Sequence, residues 1–243
     1  VAQVKHNQIA PGVYWLDTVG STQDAVITAQ HDLVHGEIIA TGNQTDGRGR
    51  ADRTWTTPPG SAAAMSLILR PKLDPDLLGI LTLVAADGLV HWFRSLGVDA
   101  SVKWPNDVQG PDTRKLCGIL AQWLPETNAV VVGIGTNINF DDAAPVTTAG
   151  SLADYGVRID PQDFVITARR KLLDAIDAFV ANPDAKRLES TMTTVGQRVR
   201  AIMPDGNDII GTAVGLGATG SLLIQGETDH EVLAADIVHL RPA

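Results

Sequence analysis

Gln44-Thr45-Asp46-Gly47-Arg48-Gly49-Arg50-Ala51-Asp52-Arg53-Thr54-Trp55 is the stretch from which the rest of the chain is read. It sets Arg48, Arg50 and Arg53 among two glycines, between the apolar run Ile38-Ile39-Ala40 and a Pro58-Pro59-Gly60 turn. Glycine lets a backbone approach a ligand closely, and arginine forks match carboxylate or phosphate oxygens. A loop this short of apolar residues buries little surface, so it is expected to be mobile when free and to order over an anion. A solvated basic loop is the plain alternative, and the neighbouring segments decide between them.

Those neighbours lie on an acidic background. The chain has 243 residues, 44% hydrophobic and 19% charged, with a formal net charge of -9. That is enough for one large domain with a small appendage, and the charge argues against bulk affinity for nucleic acid or an anionic membrane. A single cysteine, Cys117, excludes an intrachain disulfide and any multi-Cys metal site. The expected setting is a reducing one, soluble and cytoplasmic. No apolar run reaches the length of about 18 residues that a membrane span needs. The first residues, Val1 to Gln8, lack the apolar centre of a signal peptide.

Around the loop, strands and helices alternate. Residues 13–19 read as a strand, and Gln23–Gln30 as a helix whose Ser21 and Asp24 fit a capping signature. Glu37–Gly42 and Ala63–Leu69 are strand candidates on either side of the arginines. Asp74-Pro75 opens a long helix by N-cap logic, with Leu77, Leu81, Val84, Leu89, Trp92 and Phe93 at helical period up to Gly97. Trp92 and Phe93 are expected in the core.

In Lys103-Trp104-Pro105-Asn106-Asp107 the proline restricts Trp104 to extended backbone, and Asn106-Asp107 favours a turn. The same five residues crowd an ammonium, an amide and a carboxylate together, as a phosphate and base site could use. Lys115–Leu124 and Ala129–Gly135 read as a hairpin, and Cys117 as a small buried strand residue. Residues 141–155 look irregular. Asp160-Pro161 starts a helix with Phe164, Val165, Ala168, Leu172, Ile176 and Phe179 on one stripe, ending at Asn182-Pro183, and Ala185–Met192 is a short helical segment. From about Val195 five short strands in roughly 45 residues suggest a small barrel. Neither Gly47-Arg48-Gly49 nor Gly133-Ile134-Gly135 completes a dinucleotide fingerprint, and no phosphate-loop pattern or zinc spacing occurs.

Taken in order, Gly20-Ser21-Thr22-Gln23, the arginine loop from Gln44 to Trp55, Lys103-Trp104-Pro105-Asn106-Asp107, Lys115-Leu116-Cys117-Gly118-Ile119-Leu120 and Gly133-Ile134-Gly135-Thr136-Asn137-Ile138-Asn139 resemble the signature of biotin protein ligases. With the C-terminal barrel, the likeness extends over nearly the whole chain. It implies an α+β fold: a mixed central sheet packed by helices, of the class II aminoacyl-tRNA synthetase-like kind, with a small SH3-like β-barrel. The domains would be 1–194 (catalytic) and 195–243 (barrel). The chain looks like the short form, without the winged helix that makes some members repressors.

The resemblance also implies chemistry. Biotin and ATP would be substrates, with Mg2+ carried by ATP and no protein-held metal. The products would be enzyme-bound biotinyl-5′-adenylate and pyrophosphate, after which a lysine of a biotin carboxyl carrier domain displaces AMP. Ser21, Thr22, Gln23, Gln44, Arg48, Gly49, Arg50, Lys115 and Gly118 would hold biotin. Arg50, Arg53, Trp55, Lys103, Asn106 and Asn137 would serve the nucleotide. Arg48, Arg50, Lys103, Lys115 and Asp107 would carry the catalysis, four cations against charge growing on phosphate and one carboxylate beside the incoming lysine. The carrier protein is the expected partner, without nucleic acid or membrane, and the enzyme a monomer or homodimer. Three positions depart from the family pattern: Gln23 for the commoner Asn, Asp46 adding a negative charge within the loop, and Cys117 for Ala. Two other readings are a lipoate or octanoate ligase or transferase, and a biotin-binding protein without turnover.

Overall fold

The computed structural model describes residues 7–50, 53–56, 59–140 and 144–239. Residues 1–6 of the start, Ala51 and Asp52 of the arginine loop, Pro58 of the turn, Asp141 of the irregular stretch and Leu240 of the last strand lie outside the described residues.

Eight strands form the main sheet: β1 (Gln8–Ala10), β2 (Val13–Leu16), β3 (Ile38–Thr41), β4 (Ala62–Leu69), β5 (Ser101–Lys103), β6 (Asp107–Gln109), β7 (Lys115–Leu124) and β8 (Ala129–Asn137). Their order is β1-β2-β3-β4-β8-β7-β6-β5. Only β2 and β3 run parallel; the other pairs are antiparallel, so the sheet is mixed. The expected hairpin is β7 with β8, in register from Cys117↔Thr136 to Leu124↔Ala129. Strands β1 and β6 have three residues each, too few to show an alternating pattern in sequence.

The sheet's two faces differ because side chains alternate along a strand. From β4 and β8, Ala63, Met65, Leu67, Leu69, Val130, Val132 and Ile134 join the large core. Helices α2 (Leu81–Ser95) and α3 (Pro161–Ala181) pack there. Trp92 and Phe164 meet with ring centroids 5.0 Å apart, and Phe93 is fully buried beside them. Each such ring contributes about 2–3 kcal/mol by leaving water. The long helix expected from Asp74-Pro75 begins as 3-10 turns over Pro75–Ile80 before α2.

On the opposite face Ile39, Ile68 and Val131 support helix α1 (Thr22–Thr28) through Val26. Ser21 caps α1 by accepting from Asp24 N. Where α1 ends its cover, that face carries Ser66, Gly133, Gly135 and Gly118, which leaves a hollow instead of a second core.

The C-terminal strands β9 (Arg198–Ile202), β10 (Asp208–Leu216), β11 (Leu222–Gln225), β12 (Asp229–Val232) and β13 (Asp236–His239) form an antiparallel sheet ordered β12-β11-β10-β9-β13, the SH3-like part of the fold. Its inward Val199, Ala201, Leu222 and Ile224 belong to the same hydrophobic cluster as the main core. Trp104 joins the two sheets. It is 1% exposed, its Nε1 donates to Gly220 O at 2.9 Å, and its backbone N–H donates to Thr194 Oγ1 at 3.0 Å. The Trp104–Pro105 peptide is cis.

Pro75–Ser95 does reach the length and composition of a membrane span, with a mean hydropathy of 1.4, although no unbroken apolar run does. Its apolar side chains face the core, and 61% of that window is buried inside the protein.

Candidate active site

The hollow is a cavity of about 430 Å³ between the glycine-bearing face of the main sheet, the arginine loop and the edge of the C-terminal sheet. Its lining includes Ser21, Thr22, Gln23, Gln44, Arg48, Gly49, Arg50, Arg53, Trp55, Lys103, Asn106, Asp107, Lys115 and Gly118. Residues from Ser21 to Val238 are thus brought together.

At the closed end the groups are polar and neutral. Gln44 Oε1 accepts from Thr22 N at 2.9 Å and from Thr22 Oγ1 at 3.2 Å. Thr22 Oγ1 also pairs with Ser66 Oγ at 2.9 Å, inside the protein. A buried hydroxyl needs such partners. Ser66 lines the cavity and was missed in sequence, where one serine in an apolar strand gives no signal.

The floor is built by absence of side chains. A Cβ at Gly118 would sit 3.0 Å from the Trp55 ring, and one at Gly135 would overlap the indole. Trp55 therefore packs against bare backbone, with Lys115 Nζ 5.5 Å from its ring centroid. Its Nε1 is buried and, among the described residues, has no hydrogen-bond partner. The position is beside the glycine floor of β7 and β8, shared with the groups expected for biotin.

Cations ring the open side. Lys115 Nζ pairs with Asp107 Oδ1 at 2.6 Å. Arg48 pairs with Asp24, and Arg53 with Asp236, both at 2.8 Å. Among the described residues Arg50 meets only neutral acceptors, Asn106 Oδ1 at 3.3 Å and Ala235 O at 3.4 Å. Burial pushes the Arg50 guanidinium down from its usual range, opposed by the charge of Asp236; nearby Arg53 lowers it further and Asp107 raises it. A half-buried cation with no carboxylate contact among the described residues is suited to an incoming anion. Asn106 is braced in turn, its Nδ2 donating to Ile119 O at 2.8 Å.

The arginine loop has backbone contacts of its own. Arg48 bridges to Thr54, Gly49 N donates to Arg53 O at 2.6 Å, and Trp55 N donates to Gly47 O at 2.9 Å. Asp46 is exposed, and its backbone N–H donates to Gly20 O. The contacts of Arg50 and Arg53 with Ala235 and Asp236 were not legible in sequence, since 183 residues or more separate the partners.

Asn137, expected at the nucleotide, does not line the cavity. It is 3% exposed, and its Nδ2 donates to Lys115 O at 3.0 Å. It ends β8 beside the start of β7, so its Nδ2 end holds the Lys115 backbone. Cys117 is fully buried near Thr136 Oγ1 at 3.2 Å, and burial pushes its thiol up to about 12. Among the described residues no group of three or more His, Cys, Asp or Glu is placed to hold a metal ion. Asn106 and Asp107 line the cavity beside Arg50 and Lys115, and their oxygens are hard donors that suit a magnesium ion arriving on a nucleotide.

Comparison with known proteins agrees with this geometry. Residues 16–139 match the biotin/lipoate A/B protein ligase family, and residues 194–240 the biotin protein ligase C terminal domain. The chain is 30% identical to the bifunctional ligase/repressor BirA of Bacillus subtilis over 91% of its own length and 72% of the relative. It is 31% identical to the biotin–[acetyl-CoA-carboxylase] ligase of Mycobacterium tuberculosis, over 86% and 80%. Among solved structures, the biotin protein ligase from Aquifex aeolicus in complex with biotin and ATP superposes with a TM-score of 0.76 at 26% identity, covering 95% of this chain and 99% of that one. A polar closed end, a glycine floor and a cationic mouth, all within these matches, fit one assignment: the chain belongs to the biotin protein ligase family.

Proposed function

We propose that this chain activates biotin with Mg-ATP and transfers it to a lysine of a biotin carboxyl carrier domain. The observation that carries the reading is the cavity's polarity gradient: neutral amides and hydroxyls at Thr22, Gln23, Gln44 and Ser66, and cations at Arg48, Arg50, Lys103 and Lys115. A neutral, hydrogen-bonding ring with an anionic tail fits that order.

In the first step a carboxylate oxygen of biotin attacks the α-phosphorus of ATP. The bond to the bridging oxygen breaks, and pyrophosphate leaves with the electron pair. Two anions are forced together, so cations aimed at the developing charge supply most of the acceleration, about 3–4 kcal/mol each. Arg50 and Lys103, neither with a carboxylate contact among the described residues, meet the phosphate; Lys115 meets the carboxylate or the bridging phosphate. Magnesium bound to ATP neutralises phosphate charge. In the second step the neutral lysine nitrogen attacks the acyl carbon, an amide forms, and AMP departs. On this reading Asp107 receives the proton of that lysine. The arginine loop shields the mixed anhydride from water.

The partner on this reading is a biotin-accepting carrier protein, with the reaction in the cytoplasm and no nucleic acid involved. The test is pyrophosphate release from Mg-ATP with biotin, lipoate or octanoate supplied separately and no carrier. Release with biotin alone is expected. Release with lipoate or octanoate instead would overturn the substrate, and tight biotin binding with no release would overturn the chemistry.

A further inference from the structure

Gln23 sits at the closed end of the cavity, 5% exposed, and its Nε2 donates to Gln122 Oε1 at 3.3 Å. Gln122 does not line the cavity. It stands on β7 on the same face as Gly118 and Leu120, four and two residues before it, and is exposed to solvent. A carboxamide has a donor end and an acceptor end of nearly the same shape, so packing alone does not orient it; a hydrogen-bond partner does. Here Gln122 takes the donor end. The carbonyl end lies over bare backbone, since Gln23 Oε1 comes within 2.6 Å of where a Cβ on Gly133 would stand. No described donor reaches that oxygen.

Gln44, across the same end of the cavity, is fixed in the opposite sense. Its Oε1 is consumed by Thr22 N and Thr22 Oγ1, leaving its Nε2 end uncommitted. The closed end therefore presents an unspent acceptor on Gln23 and an unspent donor on Gln44.

We propose that Gln122 is a positioning residue that locks the Gln23 carbonyl toward the ligand, so that the closed end selects a group offering N–H and C=O side by side. The ureido ring of biotin is such a group, and the aliphatic chain of octanoate and the dithiolane of lipoate are not. This rests on the reading given under Proposed function. Because Gln122 never touches ligand, its removal acts on recognition and leaves the phosphoryl chemistry alone. A mismatched carboxamide in a site built for hydrogen bonding repels the ligand as well as losing a contact.

The experiment is steady-state pyrophosphate release by the full chain carrying Gln122→Leu, Gln122→Glu or Gln122→Lys. Glutamate keeps the acceptor, leucine removes it, and lysine offers donors that turn Gln23 round. Expected is a rise in KM for biotin of roughly three- to tenfold for leucine, a larger rise for lysine, and near-parental behaviour for glutamate. kcat and KM for ATP stay unchanged throughout. Equal KM for leucine and parent, or glutamate as impaired as leucine, would overturn the proposal. If the unaltered chain uses lipoate or octanoate in place of biotin, the underlying reading fails instead, and the two failures are told apart by the parent protein alone.

Discussion

Lys115 Nζ stands 2.6 Å from Asp107 Oδ1, an ion pair inside the cavity that ties the first residue of β7 to the first residue of β6. The backbone of Lys115 is held from three sides: its N–H donates to Thr148 O, and its carbonyl accepts from Gly150 N and Asn137 Nδ2. A flexible side chain on so fixed a base delivers its charge to a small volume. Lys115→Ala is expected to lower biotin-dependent pyrophosphate release by about a hundredfold or more. Asp107→Asn is expected to spare that step and slow transfer from preformed adenylate to a carrier lysine by about ten- to a hundredfold. Single-turnover measurement of the two half-reactions separates the roles. Intact adenylation in the alanine variant would remove Lys115 from the chemistry, and unaffected transfer in Asp107→Asn would remove the base.

Arg50 differs from its neighbours in making no ion pair among the described residues, only contacts of 3.3–3.4 Å to the neutral oxygens of Asn106 and Ala235. Arg50→Ala should therefore weaken retention of biotinyl-adenylate, raising its dissociation rate by roughly a hundredfold for a loss of about 3 kcal/mol. Chase of labelled intermediate with excess unlabelled biotin reads this directly. An unchanged rate would count against the loop as a clamp.

The Cys117 thiol is pushed up to about 12 from an ordinary 9.0, mainly by burial, with Thr136 opposing. Its nucleophilic thiolate is thus suppressed at pH 8, so aromatic disulfide reagents should leave the native chain untouched and label it once denatured. The folded state holds this proton through the alkaline window in which the unfolded chain loses it. Its contribution to stability is complete below pH 9 and declines as pH rises towards 12. Urea melts at pH 8 and pH 10.5 with the parent and Cys117→Ala measure that decline, which should be shallower without the thiol.

What the sequence revealed depended on how local each signal was. The stripe Phe164, Val165, Ala168, Leu172, Ile176 and Phe179 is the buried set of α3, because a helix with one face on a sheet writes its period directly into the chain. The arginine loop and the Lys103–Asp107 segment were visible through unusual local crowding of charge. Ser66 was not, since its meaning comes from Thr22, 44 residues away and reached only through sheet packing. The strand-holding contact of Asn137 was hidden for a related reason: an amide beside a ligand and an amide holding a strand end look alike in one dimension. Asp236 belongs to the C-terminal sheet, and no local pattern announces that its edge meets the arginine loop.

That edge has a consequence for the loop. Arg53 Nη2 donates to Asp236 Oδ1 at 2.8 Å, but both side chains are about half exposed. An exposed pair contributes little to global stability, under about 1 kcal/mol, while it can hold a short segment in place. Asp236→Asn should shift the melting temperature by no more than about 2 °C and yet speed tryptic cleavage within residues 48–53 several-fold. Biotin with Mg-ATP should slow cleavage of both proteins. Equal cleavage of variant and parent would show that Asp236 does not restrain the loop.

Gly135 supports Trp55 by having no side chain. A methyl group there would overlap the indole, with Cζ2 at 2.7 Å the farthest of the three nearest atoms. The strand cannot retreat cheaply, because β8 is laddered to β4 on one side and β7 on the other. The indole must move instead, and the open direction is into the cavity. Gly135→Ala is therefore expected to raise KM for biotin by about tenfold or more, the scale of one displaced contact in a close-packed site. If the methyl acts through the indole, its effect disappears once Trp55 is truncated. The Gly135→Ala, Trp55→Ala double variant should then bind biotin no worse than Trp55→Ala alone, a strongly non-additive cycle. Additive losses would mean that the methyl meets the ligand itself, and that the floor of the cavity, rather than Trp55, is the surface biotin touches at β8.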